Sequence, residues 1–294
     1  MKHRYALWWV KRDFRLYDNQ VLSLAVSQTD TVIPLYVLSH SLQMVRIGGG
    51  VHMQAVFDGV FSLRRNLRHH DHELFIRTGE VTSVFSELHS SIPFTAIYAY
   101  EETGLQHTYA RDREVAKWCR NRSISFIELP TNGVIRGLQD RDIWQSQFQT
   151  FIQKPLAPIP KQQLQKSKKI SLRAGRTPSL RAYVSKRNCN LLSVTERAAH
   201  EALLDFLHTR SYAYSGGISS MNRAPRACSR LSIHLAWGTL SLATVFQSTQ
   251  TRIDQLRVST DPTSRQWVRS LQKFQSRLFW HAHFVQNKYG TVSS

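Results

Sequence analysis

The chain contains few cysteines and no long apolar run, which argues against a disulfide-rich protein and against a membrane-spanning one. The three cysteines, Cys119, Cys189 and Cys228, are too far apart for the closely spaced pairs of a zinc site. Their odd number favours reduced thiols over a disulfide framework. The apolar run near the N-terminus meets charged residues from Lys11 onward, which makes it too short for a signal peptide or a membrane span. We therefore expect a cytoplasmic protein without a membrane segment; its oligomeric state stays open, with a monomer favoured.

Acidic side chains are also scarce. The chain has 39 Lys and Arg against 20 Asp and Glu, a formal net charge of +19 at pH 7. From Phe206 to the last residue only Asp254 and Asp261 are acidic, against eleven basic residues. A positive field of this strength favours a polyanion as partner, either nucleic acid or an anionic membrane surface.

The first half of the chain alternates short β-branched or aromatic runs with stretches of helical length. The runs predict buried parallel strands at Tyr5–Val10, Thr31–Leu38, Glu73–Arg77, Thr95–Ala99 and Ser125–Leu129. The stretches between them predict helices at 19–27, 51–68 and 106–122, where apolar residues recur at three- and four-residue spacing. This alternation predicts a doubly wound α/β domain over 1–132. The turn after the first strand lacks the Gly-x-Gly-x-x-Gly pattern, which disfavours a nicotinamide dehydrogenase.

The middle of the chain, 133–192, is predicted to be a basic interdomain linker. Between Lys154 and Asn190 the sequence has ten basic residues, no acidic residue and four prolines that interrupt any long helix. Such a segment can be a solvated crossing between domains or an arm that contacts phosphates. Beyond it the apolar spacing becomes helical, which predicts a second, mostly α-helical domain over 193–294.

The first strand and its following turn resemble those of a known family. The sequence WWVKRDFRLYDN at Trp8–Asn19 resembles the opening of photolyases and cryptochromes, and parts of 101–119 look like the antenna domain of the same family. Either Asp18 or Asn19 can cap the following helix. Three charged residues of the turn can pair across it: Arg12, Asp13 and Arg15. We assign these residues to domain structure and not to chemistry.

A second block, CSRLSIHLAWGTLS at Cys228–Ser241, is similar to the flavin signature of that family. Tyr214 lies fourteen residues before the block, as the family's tyrosine does. Serine hydroxyls and free amides at a helix start can bind an anion such as a pyrophosphate, but without the family Ser229 and Ser232 are ordinary capping residues. The block departs from the signature in having Cys228 for a threonine, which removes a hydroxyl donor, and Ile233 for a proline.

A third block, FQSRLFWHAHFVQ at Phe274–Gln286, resembles the family helix that runs past the flavin. Phe274, Arg277 and His281 are spaced to share one helical face, as a pocket wall requires. His281 and His283 do not share a face, so we expect no metal site. The FAD-binding residues that the resemblance implies are Tyr214, Cys228, Ser229, Arg230, Leu231, Ser232, Phe274, Arg277 and His281.

The resemblance implies a function as well as a fold. The cofactor would be FAD, with an antenna chromophore of folate or deazaflavin type, and the partner would be DNA containing pyrimidine dimers. The reaction would be light-driven repair by electron transfer from reduced FAD, a carbon–carbon lyase activity on a flipped-out lesion. Arg223 and Arg226 are candidates to hold DNA phosphates, or are simply solvated, and no catalytic residue is assigned.

Two alternatives to repair stay open: a light sensor or DNA-binding relative without turnover, and an inactive truncated gene product. In the family, the helical domain continues well beyond the point that corresponds to Ser294. We therefore expect a C-terminally shortened chain with an incomplete FAD-binding domain that lacks one wall of the flavin pocket.

Overall fold

The structure, a computed structural model, describes residues 3–39, 50–104, 106–138, 140, 142–166 and 192–290. The chain forms two compact units. The α/β unit comprises Met1–Leu129 and Ala157–Thr195, and the helical unit comprises Pro130–Leu156 and Glu196–Ser294. The arginine- and lysine-rich part of the predicted linker, 167–191, lies outside the described residues, as does Cys189.

The elements alternate regularly up to residue 129. In chain order they are β1 (Tyr5–Val10), α1 (Gln20–Gln28), β2 (Thr31–Leu38), α2 (Gly50–Arg68), β3 (Phe75–Thr78), α3 (Val81–Ser91), β4 (Ala96–Tyr100), α4 (Gln106–Arg120) and β5 (Ser125–Leu129). The remaining elements are α5 (Trp144–Gln153), α6 (Lys161–Lys166), α7 (Glu196–His208), a 3₁₀ turn (Arg210–Ala213), α8 (Tyr214–Gly217), α9 (Ala224–Ala227), α10 (Ser232–Trp237), α11 (Leu242–Arg257) and α12 (Ser264–Gly290).

The α/β unit is built on a five-stranded parallel sheet of order β3-β2-β1-β4-β5. The predicted doubly wound α/β fold is confirmed. Strand order reverses between β1 and β4, so the carboxyl ends of these two strands border the crevice where open α/β sheets commonly bind ligands. All of β2 and nearly all of β1 are buried, because parallel sheets of this type carry helices on both faces.

One aromatic cluster fills a face of this sheet. Trp9 on β1 meets Phe85 on α3 edge to face at 5.4 Å, and Phe85 meets Trp118 on α4 at 5.8 Å. Trp118 also donates a hydrogen bond from Nε1 to Ser86 at 2.9 Å. Aromatic pairs in this geometry add to the free energy gained from burying their area, so the helices on this face are held firmly on the sheet.

The turn after β1 holds the first helix in place. Asn19 Oδ1 accepts a hydrogen bond from the Leu22 amide at 3.0 Å, which confirms the predicted helix cap. Asp18 accepts instead from the Ala157 amide at 3.0 Å. Arg12 binds Glu102 outside the turn, whereas Arg15 donates to the Asp18 carbonyl within it and to the Tyr100 hydroxyl.

The helical unit packs around a core of large apolar side chains that include Phe206 on α7 and Phe274 on α12. The structure differs from the predicted linker at α5, whose Trp144, Phe148 and Ile152 are buried in this core. These three residues are spaced four apart, as on one face of a helix. The linker was predicted from the charges and prolines beyond residue 154, so this helical spacing was overlooked. The amide side chain of Gln286 also pairs with both backbone groups of Ile135, at 2.7 and 2.9 Å.

None of the helices in the described ranges combines the length and the apolar composition that a membrane crossing needs. The same ranges contain no group of three or more His, Cys, Asp or Glu side chains arranged to hold a metal ion.

Candidate functional site

The segment 228–232 joins α9 to α10 through an unusual backbone turn. Arg230 has φ +58°, in the left-handed region, and Leu231 follows with φ −89° and ψ −6°. A left-handed residue followed by a right-handed one turns successive backbone N–H groups toward one side, which creates a concave site for an anion. The N–H groups concerned are those of Arg230, Leu231 and Ser232. The Leu231 amide donates a hydrogen bond to the Ser229 hydroxyl at 3.4 Å, so the groups that remain for an anion are the amides of Arg230 and Ser232 and the Ser229 hydroxyl itself.

The side chains of this segment differ in their exposure to solvent. Leu231 is buried in the core of the helical unit and anchors the segment. Cys228 and Ser229 are half-buried, whereas Arg230 and Ser232 are exposed. The polar groups that an anion could bind are therefore accessible from solvent, while the apolar anchor is not. Arg223 and Arg226, the predicted DNA contacts, are exposed on the preceding turn and α9.

The Arg210 side chain binds the backbone carbonyls of the 228–232 segment. Its guanidinium donates to the carbonyls of Cys228 and Ser229, the second at 3.3 Å, and to the Ala202 carbonyl at 3.2 Å. Its Nε pairs with the Asp205 carboxylate at 2.5 Å. Sequence reasoning missed Arg210, because nothing in its local spacing distinguishes it from the other arginines of this basic region.

A close helix contact fixes the neighbouring turn. A Cβ placed on Gly217, at the end of α8, would lie 2.4 Å from the Cβ of Ala227 on α9. Only glycine permits this approach, which brings α8 and its Tyr214 against the helix that leads into the 228–232 segment. Gly217 was also missed, since one glycine in a Gly-Gly pair gives no sign of a close approach.

Tyr214 and Phe274 belong to the core. Phe274 is 3% exposed and meets Phe206 at 4.6 Å and Tyr214 at 5.5 Å. Burial raises the pKa of the Tyr214 phenol, with the nearby Cys228 acting in the same direction and the Arg277 charge acting against it. On the same helix Arg277 is exposed, and the structure therefore does not place it on one surface with Phe274.

His281 shares the exposed side of α12 with Arg277, so the predicted wall of Phe274, Arg277 and His281 is divided between core and solvent. Trp280, on the same helix, is 46% exposed. Trp237 and Trp267 are partly buried. The aromatic spacing of this helix does not by itself tell which side faces the core, because aromatic residues occur on both.

A buried histidine supports α10. His234 is 2% exposed, and its Nδ1 lies 2.9 Å from the Thr239 hydroxyl. Gly238, in the left-handed region at φ 63°, ends the helix and allows the Thr239 amide to bind the His234 carbonyl at 3.0 Å. Burial lowers the pKa of His234 to about 4.

This histidine should make the helical unit sensitive to mild acid. The unfolded chain has an ordinary histidine pKa near 6.5, so below that pH the unfolded state binds more protons than the folded state. Its contribution to stability is full above pH 6.5 and is lost as the pH falls toward 4. Between pH 7 and pH 5 we expect the free energy of unfolding to fall about 2 kcal/mol more for the native protein than for His234→Gln. Urea unfolding at both pH values measures this difference, and equal losses in the two proteins would contradict it.

The carboxyl ends of β1 and β4 carry a buried network of charges. Lys11 Nζ lies 2.5 Å from Asp112 and 3.4 Å from Glu128, and Arg111 lies 2.8 Å from Asp112. Arg111 and Arg12 both pair with the buried Glu102. These bonds join β1, α4 and β5.

The charges of this network compensate one another. Burial acts to raise the pKa of the Glu102 carboxyl, but the cations of Arg12, Lys11 and Arg111 outweigh burial and lower it below its usual value. The Trp9 ring lies under both Lys11, at 4.7 Å, and Arg111, at 4.9 Å. The aromatic rings of Trp9, Tyr36 and Tyr100 at this edge are buried.

Comparison with known proteins agrees with the sequence resemblance. Residues 6–154, about half of the chain, match the family model of DNA photolyase. The chain belongs to the DNA photolyase family. Proteins of this family act on DNA and generally bind FAD.

Two curated Arabidopsis thaliana proteins match part of the chain. Blue-light photoreceptor PHR2 is 30% identical over 104 residues, which are 34% of this chain and 23% of that protein. Cryptochrome DASH, chloroplastic/mitochondrial, is 30% identical over 105 residues, which are 32% of this chain and 18% of that protein. The chain thus matches about a fifth of the length of these relatives.

Solved structures match almost the whole chain. A bacterial class III photolyase from Agrobacterium tumefaciens is 18% identical with a TM-score of 0.77, and the match covers 99% of this chain and 60% of that one. A cryptochrome from Synechocystis sp. PCC6803 is 20% identical with a TM-score of 0.78, covering 99% and 62%. An archaeal photolyase from Sulfolobus tokodaii, solved with two FAD molecules, is 19% identical with a TM-score of 0.71, covering 98% and 60%. At these identities the likeness shows the fold alone.

Proposed function

We propose that the chain is a photolyase-type flavoprotein whose helical unit binds FAD and which repairs pyrimidine dimers in DNA under light. The observation that carries the proposal is the left-handed turn at Arg230 in the 228–232 segment, a backbone conformation that turns successive N–H groups to one side, next to the Ser229 hydroxyl. Membership of the DNA photolyase family supports the choice of FAD as the anion that uses it.

The donors of this segment fit a pyrophosphate. The N–H groups of Arg230 and Ser232, the hydroxyls of Ser229 and Ser232 and the positive charge of Arg230 are all suited to phosphate oxygens. Cys228, whose thiol is a weak donor, adds little. Leu231 is the anchor that keeps the N–H groups in place, and backbone donors of this kind need no side-chain reorganisation when the ligand binds.

The remaining proposed FAD residues divide by position. Arg277 and His281 are exposed on α12 and are available to a bound ligand, whereas Tyr214 and Phe274 support the site from within the core. When bound, reduced FAD supplies the light-excited electron that opens the dimer. An antenna chromophore of folate or deazaflavin type in the α/β unit is part of the same proposal.

DNA is the proposed substrate because of the charge around this segment. Arg223, Arg226 and Arg230 are exposed within eight residues of one another, in a part of the chain with almost no acidic residues. Exposed arginines at such a density neutralise phosphates and release counterions, so the affinity for DNA should fall steeply as salt rises. Arg223 and Arg226 are the residues we propose for this contact.

Repair is tested with a single-stranded oligonucleotide that contains one thymine dimer. The purified protein, loaded with FAD and reduced, should restore the thymines under blue light and leave the dimer unchanged in the dark. Chromatography of the digested oligonucleotide measures the restored thymine. A protein that holds FAD and binds the oligonucleotide but restores no thymine would refute repair and favour the light-sensing alternative.

A further inference from the structure

Beyond the residues that would touch FAD, we propose that Arg210 is a positioning residue that sets the direction of the N–H groups in the 228–232 segment. This inference rests on the proposed FAD site. The bonds that carry it are those from the Arg210 guanidinium to the carbonyls of Cys228 and Ser229. Arg210 itself faces the side of the segment occupied by those carbonyls.

Because the peptide bond is planar, a hydrogen bond to its carbonyl also sets the direction of the N–H group on the opposite side of the same peptide. In a trans peptide the C=O of one residue and the N–H of the next point in opposite directions. The Cys228 carbonyl shares a peptide with the Ser229 amide, and the Ser229 carbonyl shares one with the Arg230 amide. By binding both carbonyls, Arg210 directs these two N–H groups away from itself, and the Arg230 N–H is one of the donors proposed for the anion.

The guanidinium is fixed on other sides as well. It donates to the Ala202 carbonyl at 3.2 Å and pairs with Asp205 at 2.5 Å, both on α7. It also lies 5.8 Å from the centre of the Phe206 ring, which is fully buried. The segment is therefore tied through one side chain to the core of the helical unit.

Only arginine has the geometry for this arrangement. Four acceptors on different sides require several N–H donors in a fixed planar fork, whereas lysine offers one compact ammonium group. A role that depended on charge alone would survive replacement by lysine. A role that depends on the fork would not.

The test measures FAD binding by the native protein and by Arg210→Lys and Arg210→Met, using the quenching of flavin fluorescence, with ADP as a second probe for the pyrophosphate part. We expect both variants to bind FAD and ADP at least about tenfold more weakly, since each loses hydrogen bonds to two loop carbonyls. Hydrogen exchange without ligand should show faster exchange at the amides of 229–232 in both variants. Arg197→Met, which removes an exposed ion pair with Glu201 on α7, is the matched control and should bind FAD as the native protein does.

Affinity within twofold of native in both variants, or unchanged exchange at 229–232, would overturn the role of Arg210. Recovery of native affinity in Arg210→Lys would overturn the positioning role and leave one of charge. If either variant unfolds, Asp205→Asn decides, because it loosens the guanidinium while its bonds to the carbonyls can still form. That variant should weaken FAD binding by about threefold, and native binding by a folded Asp205→Asn with native exchange would count against the inference. Failure of the native protein to bind FAD would instead remove the proposed function, while the exchange measurement still shows whether Arg210 orders the segment.

Discussion

Replacement of Lys11 by methionine is expected to lower the free energy of unfolding of the α/β unit by about 3 to 5 kcal/mol. Lys11 is buried, and its Nζ pairs with Asp112 at 2.5 Å and with Glu128 at 3.4 Å. Methionine keeps much of the side-chain volume but removes the charge, which leaves buried carboxylates with fewer cations. Arg111 still binds Asp112, so we expect a value near the lower end of the range.

Urea unfolding followed by circular dichroism measures the loss, and hydrogen exchange assigns it to the α/β unit. The control is Arg4→Met, which breaks an exposed pair with Asp30 and should cost less than about 1 kcal/mol. A cost for Lys11→Met as small as that of the control would show that the network at the carboxyl edge of β1 and β4 contributes little to stability.

The second large effect is expected in the helical unit, at Phe274. Its ring contacts Phe206 and Tyr214 in a closed aromatic group, so Phe274→Ala removes a large buried side chain and leaves a cavity. Substitutions of this type cost about 3 to 5 kcal/mol. Phe284→Ala on the same helix is the control, since that ring is 66% exposed, and it should change stability by no more than about 0.5 kcal/mol.

The Phe274 experiment also distinguishes a core residue from a flavin wall. Phe274→Leu keeps an apolar side chain in the core, so it should bind FAD with nearly native affinity and lose less stability than the alanine variant. If Phe274→Ala were as stable as the native protein yet failed to bind FAD, the ring would be part of the pocket, as the sequence predicts. Denaturation and FAD titration of the same samples give both quantities.

The sequence predicts the α/β fold well because each strand is a short apolar run between polar turns. The bounds of β1, β2 and β5 agree with prediction, while β3 and β4 begin one or two residues later. A cap at Asp18 or Asn19 was predicted, because a cap depends on its neighbours in sequence alone, and the structure shows that Asn19 is the capping residue. In contrast, α3 was not predicted, although Val81, Val84 and Leu88 repeat at helical spacing along it.

The candidate site could be predicted only in part. A motif reveals the 228–232 segment, but the left-handed turn at Arg230 and the bonds from Arg210 depend on residues far apart in sequence. Burial cannot be deduced from spacing alone either. Phe274 and His281 are compatible with one helical face, yet the first is in the core and the second in solvent, because the side of α12 that is covered is decided by α11, the 3₁₀ turn and α8, which pack against it.

The most direct test of this account is a titration of the purified full chain with FAD, followed by the fluorescence and visible spectrum of the flavin. We predict saturable quenching, a flavin band that stays with the protein during gel filtration, and loss of both when pyrophosphate competes for the 228–232 segment. No change in the flavin spectrum at any FAD concentration, with the helical unit shown to be folded by circular dichroism, would contradict the claim that this chain is a flavoprotein.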